Sequence, residues 1–172
     1  MEEFYKDIAK LKEVVRRGWK FRNFKTSRTE SDAEHVFSML MLAFYILSKN
    51  NSTKLDGFKI FKLILFHELG EIEVGDITPF DNYDIDLKHK QEKSVVKRIS
   101  KKYNIEEISE LWNEYNDRKT LESRFVKLLD HLDYLCQANV YKEENDEQFQ
   151  TLYNEYVTKH PDVIEEFKKY GE

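Results

Sequence analysis

The stretch ESDAEHVFSMLMLAFYIL, residues 30–47, decides the fold class. Ser31 followed three residues later by Glu34 is the capping-box pattern that opens a helix. Apolar side chains then occupy nearly every side of that helix through Leu47, which predicts a position at the centre of a bundle. The run is shorter than the roughly 20 apolar residues that a membrane span needs. We therefore interpret it as a buried core helix and expect no membrane partner.

The rest of the chain also has the apolar spacing of helices, and no strand-like alternation stands out. Asp56 can cap a second helix that is apolar all round, over 57–69, and Asn50, Asn51 and Ser52 separate the two. The other predicted helices run from Phe4 to Val15, ending near Gly18, from Ile85 to Tyr103, and around 108–115, 121–135, 149–156 and 163–167. The sequence thus predicts one all-α domain over 1–172, a bundle of about eight helices with 32–48 and 57–69 as its most buried elements.

Composition narrows the class of protein. A length of 172 residues suits one domain, and 40% hydrophobic with 35% charged residues is typical of a globular chain. The net charge of −5 offers no attraction to a nucleic acid polymer, so we expect none as a partner. Cys136 is the single cysteine, which fits a reducing compartment, and the N-terminus lacks the layout of a signal peptide. We expect a cytoplasmic protein.

Four ionisable residues lie in or beside the apolar segments. His35 starts the most hydrophobic helix, His67 and Glu68 end the next one, and Asp130 lies inside FVKLLDHLDYL, residues 125–135. Burying a charge without a partner is costly, so each of these needs a reason. Two imidazoles and two carboxylates are a plausible nitrogen and oxygen site for a divalent metal.

Other interpretations of these residues remain open at this point. His35 taken alone is more often a hydrogen-bonded structural residue, and Asp130 taken alone could face solvent, as Asp133 is expected to do. Spacing does not show that three helices bring the four residues together. His89, His131 and His160 lie in polar stretches and are predicted to be surface residues. The run HELGE does not complete the zinc-protease motif HExxH, because Glu71 stands where the second His would be.

Six blocks in the same order and spacing resemble the HD-domain 5′-deoxynucleotidases of the HD domain-containing protein 2 type. They are RRGWKFRN (16–23), ESDAEH (30–35), LILFHELGEIEVGDITPFDN (63–82), ELWNEY (110–115), RFVKLLDHLD (124–133) and HPDVIEEF (160–167). The resemblance covers nearly the whole chain. It implies an all-α bundle around one divalent metal ion, with Mn, Co, Fe, Zn and Mg as the candidates, and a homodimer.

The resemblance also implies roles for individual residues. The metal ligands are His35, His67, Glu68 and Asp130, the set that burial had already selected. The catalytic acids are Glu71 and Asp76, which would otherwise be ordinary solvated surface acids. The residues on the substrate side are Arg16 and Trp19, with Arg17 as an equally good chemical candidate for the arginine. Trp19 would stack on sugar or base, although packing is the alternative for an aromatic residue there.

One departure falls at the residue pair that defines the family. The second member of the doublet is Glu68 rather than Asp, so the carboxylate is kept on a longer and less rigid side chain. We expect this carboxylate still to reach the metal, the alternative being a water in its place and weaker binding. The leading hypothesis is release of phosphate from (deoxy)nucleoside 5′-monophosphates by water activated at the metal. The alternatives are an HD phosphohydrolase acting on a cyclic nucleotide or a triphosphate, and a non-catalytic helical protein that binds metal or nucleotide.

Overall fold

A computed structural model describes residues 1–49 and 54–170, and within these ranges the chain is helical with one isolated β-bridge. The all-α prediction is confirmed. Eight longer helices correspond to the eight predicted, and two helices of four residues are added. The predicted break at Asn50, Asn51 and Ser52 lies outside the described residues. The helices are α1 (Glu2–Ala9), α2 (Gly18–Phe21), α3 (Asp32–Lys49), α4 (Gly57–Phe66), α5 (Glu71–Val74), α6 (Ile85–Tyr103), α7 (Glu107–Asp117), α8 (Leu121–Val140), α9 (Asp146–Lys159) and α10 (Pro161–Tyr170).

The predicted capping interactions set the starts of two helices. The Ser31 amide donates to the Glu34 carboxylate at 2.8 Å, and the Glu34 amide donates to the Ser31 hydroxyl at 3.4 Å. Asp56 accepts from the Lys59 amide at 3.1 Å and caps α4. Both ends of a capping box satisfy amides that a helix start leaves free. The box therefore fixes the first turn of α3, which carries His35.

The centre of the bundle is α8, which packs against α3, α4, α7, α9 and α10. Its inward side chains Val126, Leu129, Leu132 and Leu135 are almost completely buried. The two segments predicted to be the most buried, 32–48 and 57–69, contribute to the core but do not lie at the centre of the bundle. Each of these helices buries one face, but Phe44 in α3 is 60% exposed and Phe58 in α4 is 72% exposed. An apolar helix can therefore have one face in the core and the other exposed. Contiguous exposed apolar side chains are typical of surfaces that bind another molecule.

The predicted first helix does not continue to Val15. Helix α1 ends at Ala9, a 3₁₀ turn covers Lys10–Lys12, and Val15 then forms an isolated antiparallel bridge with Ser31. The Arg16 amide donates to the Glu30 carbonyl at 3.0 Å, and the Asp32 amide donates to the Val14 carbonyl at 2.9 Å. Tertiary pairing thus overrides the helical spacing, and it places Arg16 beside the start of α3.

Helix α4 ends at Phe66, three residues before the predicted boundary. Residues 67–70 form a turn, the short helix α5 follows, and Gly75 has a φ of +79°, which an L side chain rarely adopts. His67 and Glu68 therefore project from a turn and Asp76 from the loop beyond α5. In the described ranges, no helix combines the length and apolar character that crossing a bilayer requires.

Candidate metal centre and its cavity

Four side chains from three elements converge at one point in the bundle. His35 comes from the first turn of α3, His67 and Glu68 from the turn after α4, and Asp130 from the middle of α8. One donor atom from each lies within 4.8 Å of the others. His35 Nε2 is 3.3 Å from Asp130 Oδ1, and His67 Nε2 is 3.4 Å from Glu68 Oε1. The convergence that spacing alone left open is present.

The two imidazoles are oriented as metal ligands. His35 Nδ1 lies 2.6 Å from Asp133 Oδ2, and His67 Nδ1 lies 2.7 Å from the Ile64 carbonyl oxygen. Because both partners are acceptors, each Nδ1 carries the proton and donates it. Each Nε2 then presents a lone pair to the cluster, and both Nε2 atoms are buried without a hydrogen-bond partner. Two unpartnered nitrogen donors facing two carboxylates fit a divalent cation.

Asp133 supports His35 from behind, a position that its predicted exposure to solvent did not indicate. It was expected to face solvent, but it is only 3% exposed and accepts from His35. Burial and Arg16 lower the pKa of His35, while Asp130 and Asp133 raise it by more, to about 9. A pKa of about 9 means that Nε2 binds a proton at neutral pH unless another cation takes the proton's place, so the two carboxylates favour a positive charge at that position.

Asp133→Asn should weaken metal binding by about tenfold, because a neutral amide keeps a hydrogen bond to His35 but removes the charge behind it. The quantity to measure is the affinity for Co²⁺ by its visible absorption. Asp117→Asn, at an exposed carboxylate on α7, is the matched control. Equal Co²⁺ affinities in wild type and Asp133→Asn would show that this charge does not tune the site.

Asp130 is prepared as an ionised ligand. Its Oδ2 accepts from the Tyr115 hydroxyl at 2.9 Å and from Lys127 Nζ at 2.7 Å, which leaves Oδ1 directed to the cluster. Burial raises the pKa of Asp130, but Lys127 and the imidazoles hold it well below its ordinary value. The carboxylate therefore stays charged inside the bundle.

Glu68 reaches the cluster despite its extra methylene. Its Oε1 lies 3.4 Å from His67 Nε2, 3.8 Å from His35 Nε2 and 3.4 Å from an Arg16 guanidinium nitrogen. Burial raises the pKa of Glu68, but His67, Arg16 and His35 hold it well below its ordinary value. The Glu68 carboxylate therefore stays charged within the cluster of four side chains.

Arg16, and not Arg17, faces the site. Its guanidinium lies 3.5 Å from Glu30, 3.7 Å from Asp32 and 3.4 Å from Glu68. Although burial lowers the pKa of Arg16, these carboxylates raise it above its ordinary value, so the side chain stays cationic. Arg17 is half exposed and pairs with Asp81 at 2.8 Å. Sequence reasoning missed Glu30 and Asp32, because a capping segment gives no sign that its acids are buried.

Trp19 is a packing residue at the wall of the cavity. Its indole is fully buried, stacks on Tyr134 at a centroid distance of 4.3 Å and donates from Nε1 to Glu30 at 3.0 Å. These contacts favour the packing alternative over stacking on a substrate. Through Glu30, Trp19 helps to hold the carboxylate that pairs with Arg16.

The two predicted catalytic acids both line the cavity. Glu71 is buried and accepts from Lys88 Nζ at 2.8 Å, an interaction that sequence analysis did not detect. Burial, Glu68 and Asp32 raise the pKa of Glu71 well above its ordinary value. Asp76 accepts from the Arg17 main-chain amide, which fixes the loop after α5 against α2. Neither residue is an ordinary solvated surface acid.

A cavity of about 650 Å³ opens to the surface from His67, Glu68 and Asp130 of the candidate metal site. This volume is in the range of small-molecule sites. Its lining includes side chains of α8, α9 and the segment before α10, among them His131 and His160. The prediction that these two histidines are surface residues is wrong, because both are half buried in the cavity wall. His89 is exposed, as predicted, and stacks on Trp112.

The sequence pattern of the HD domain matches residues 8–170. The chain belongs to the HD domain family. The human 5′-deoxynucleotidase HDDC2 is 32% identical over 170 residues, which cover 95% of this chain and 80% of that protein. The Danio rerio 5′-deoxynucleotidase HDDC2 is 36% identical over 146 residues, covering 83% of this chain and 70% of that protein.

Solved structures share the architecture. The PH0347 protein from Pyrococcus horikoshii OT3 is similar with a TM-score of 0.78 at 24% identity, over 97% of this chain and 95% of that chain. A protein described as a predicted metal-dependent phosphohydrolase from Magnetospirillum magnetotacticum MS-1 is similar with a TM-score of 0.68 at 26% identity, over 88% and 79%. The defining doublet of this HD domain protein is His67 and Glu68, and both side chains contribute to the cluster.

Proposed function

We propose that this chain is a metal-dependent phosphohydrolase that releases phosphate from nucleoside 5′-monophosphates, with deoxynucleotides as preferred substrates. One observation carries the proposal. Two buried, unpartnered imidazole nitrogens and two carboxylates converge at the inner end of a cavity large enough for a small ligand. The 5′-deoxynucleotidases that resemble the chain over most of its length support the choice of substrate.

We propose one divalent ion held by His35, His67, Glu68 and Asp130. A divalent ion lowers the pKa of water and polarises a phosphoryl oxygen. The candidates are Mn, Co, Fe, Zn and Mg, and the pair of imidazoles favours the first-row transition ions over Mg.

The acids and bases around the cluster can supply the remaining chemistry. Glu71 lines the same cavity as Glu68, and we propose its ionised carboxylate as the general base toward the attacking water. Asp76, also in the wall, orients that water or the leaving oxygen. Arg16 offsets negative charge on the phosphate, and Lys88 holds Glu71 in position through their 2.8 Å contact.

Phosphate release from a substrate panel tests this function. The panel contains deoxynucleoside and ribonucleoside 5′-monophosphates, a 3′,5′-cyclic monophosphate and a deoxynucleoside triphosphate, each with the chain stripped by chelator and reloaded with one metal. We expect release from the 5′-monophosphates, loss after chelation and recovery with a transition metal. Preference for the cyclic or triphosphate substrate would overturn the substrate assignment. Metal and nucleotide binding without turnover would make the chain a binding protein.

We also propose that the chain forms one domain over 1–172 and works in the cytoplasm. We propose further that two copies of the chain form a homodimer. Helices α3 and α4 pack against each other. Their exposed apolar side chains form a surface that a second copy can cover: Phe37, Met41, Phe44, Tyr45, Phe58 and Leu65. The single, half-buried Cys136 suits a reducing compartment.

The dimer is expected to have twice the 20.8 kDa mass of the chain. Light scattering on the purified protein measures this mass directly. Phe44→Glu should shift the mass toward the monomer, because it places a charge in the apolar surface. A wild-type mass of one chain at micromolar concentration would contradict the dimer.

A further inference from the structure

The cavity lining includes a group of aromatic rings that take no part in the proposed metal site. We name His131, Tyr134, Tyr156 and His160 the aromatic wall. His131 and His160 stack at a centroid distance of 4.3 Å and an interplanar angle of 28°. Tyr156 lies 4.9 Å from His160, and Tyr134 lies 6.4 Å from Tyr156. All four residues line the cavity, and each ring centroid lies within 6.4 Å of another in the set.

The aromatic wall is held in place by polar contacts and by the chain turn. His131 Nδ1 lies 3.2 Å from the Tyr156 hydroxyl. The His160 amide donates to the Tyr156 carbonyl at 2.8 Å, and α10 begins at the next residue, Pro161. Because proline fixes its own φ and restricts the residue before it, the backbone that carries the His160 ring has little freedom. The wall is therefore preorganised for a flat ligand.

The charged groups near this wall are largely paired within the chain. Lys127 pairs with Asp130 at 2.7 Å, Lys159 pairs with Glu155 at 3.0 Å, and Arg22 pairs with Glu155 at 2.8 Å. Arg118 is an exposed cation that also lines the cavity. Paired cations attract a second phosphate less than free ones do. Apart from Arg118, the cations named here are thus already neutralised by carboxylates, which favours an uncharged aromatic group beside the aromatic wall over another anion.

A further aromatic side chain lines the cavity outside the aromatic wall. Phe80, in the loop after α5, is exposed and carries the Arg22 guanidinium 5.2 Å from its ring centroid. Both residues line the same cavity as the aromatic wall. Aromatic rings thus line the cavity both from α8 and α9 and from the loop after α5.

We infer that the aromatic wall binds the nucleobase of the substrate, and that His160 is a specificity-determining residue for base-containing over base-free phosphates. The inference rests on the proposed function, because the metal centre holds the phosphate and the base must occupy another part of the cavity. Stacking on aromatic rings tolerates every base, since each base has a π face. The wall should therefore accept all four bases and favour the larger purines.

The test compares dAMP with 2-deoxyribose 5-phosphate, which has the same sugar and phosphate and lacks the base. The quantity to measure is the ratio of kcat/KM for dAMP to kcat/KM for 2-deoxyribose 5-phosphate. In His160→Ala this ratio should fall about tenfold, because one stacking contact with the base is lost. The change should come mainly from a higher KM for dAMP. His160→Phe should restore most of the ratio, because it returns a ring. His89→Ala is the matched control, since His89 also stacks on an aromatic side chain but does not line the cavity.

An unchanged ratio in His160→Ala would overturn the inference, whether both activities fall equally or neither falls. A structural role for His160 would lower both activities together and would not be rescued selectively by Phe. If the wild-type chain hydrolyses no monophosphate, the proposed function fails. The inference is then tested by calorimetric affinities of the metal-loaded wild type and His160→Ala for dAMP and 2-deoxyribose 5-phosphate. The tenfold change in ratio is expected there too, and its absence rejects the base site.

Discussion

Glu71→Gln should lower kcat by about a thousandfold while the chain keeps its metal. A general base contributes typically 10²–10⁴-fold, and glutamine has the size of glutamate but cannot take a proton at neutral pH. Glu71 is buried in the cavity wall and held by Lys88 at 2.8 Å, so the substituted side chain should stay in place. Because Glu71 is not among the four converging donors, removal of its charge should spare metal binding.

Turnover of dAMP and metal content per chain are the two measurements for this prediction. Glu73→Gln is the matched control, because Glu73 lies on the same short helix α5 but is exposed and pairs with Arg98. This control should retain both properties. Loss of metal from Glu71→Gln would identify Glu71 as a ligand, and unchanged kcat would remove it from the chemistry.

The four metal-site residues could be predicted because each is an ionisable group in or beside an apolar helix. His35 and Asp130 interrupt runs that otherwise belong to a core, which is a signal that one sequence contains. The sequence also indicates that Asp133 lies close to Asp130. It follows Asp130 by three residues on α8, so both carboxylates lie on one face of that helix.

Five residues of the site and cavity could not be predicted in the same way: Glu30, Asp32, Lys88, His131 and His160. Each lies in a polar segment, and its burial depends on which other element packs over it. Arg16 reaches Glu30 and Asp32 only because residues 14–16 pair with 30–32 instead of continuing a helix. Helical periodicity describes one element at a time and contains no information on such pairing.

The same limit applies to the position of α3 in the bundle. Apolar side chains all round α3 are compatible with a central helix and with a helix that has one face in the core and one at an interface. Phe44 and Phe58 show the second arrangement in this chain. By contrast, α8 carries Lys127, Asp130 and His131 and has a more polar sequence, yet it is the central helix, because its polar side chains line the cavity.

Glu68→Asp should lower metal affinity and kcat by about a hundredfold, although it restores the usual doublet of the family. The present carboxylate oxygen lies 3.4 Å from His67 Nε2 and 3.4 Å from Arg16. Removing one methylene withdraws it by about 1.5 Å, the length of a carbon–carbon bond. Misplacement by about 1 Å can cost a factor of about 100.

The reason to expect loss rather than gain lies in the surroundings of Glu68. Arg16 is fixed by Glu30 and Asp32, and His67 is fixed by a main-chain carbonyl, so neither can follow a shorter side chain. Metal affinity by Co²⁺ titration and kcat on dAMP should fall together in Glu68→Asp. Glu68→Gln keeps the length and loses the charge, and it separates the two contributions. A gain in both affinity and kcat for Glu68→Asp would show that the natural site is impaired, and the chain would then be better described as a weak metal-binding protein than as an efficient enzyme.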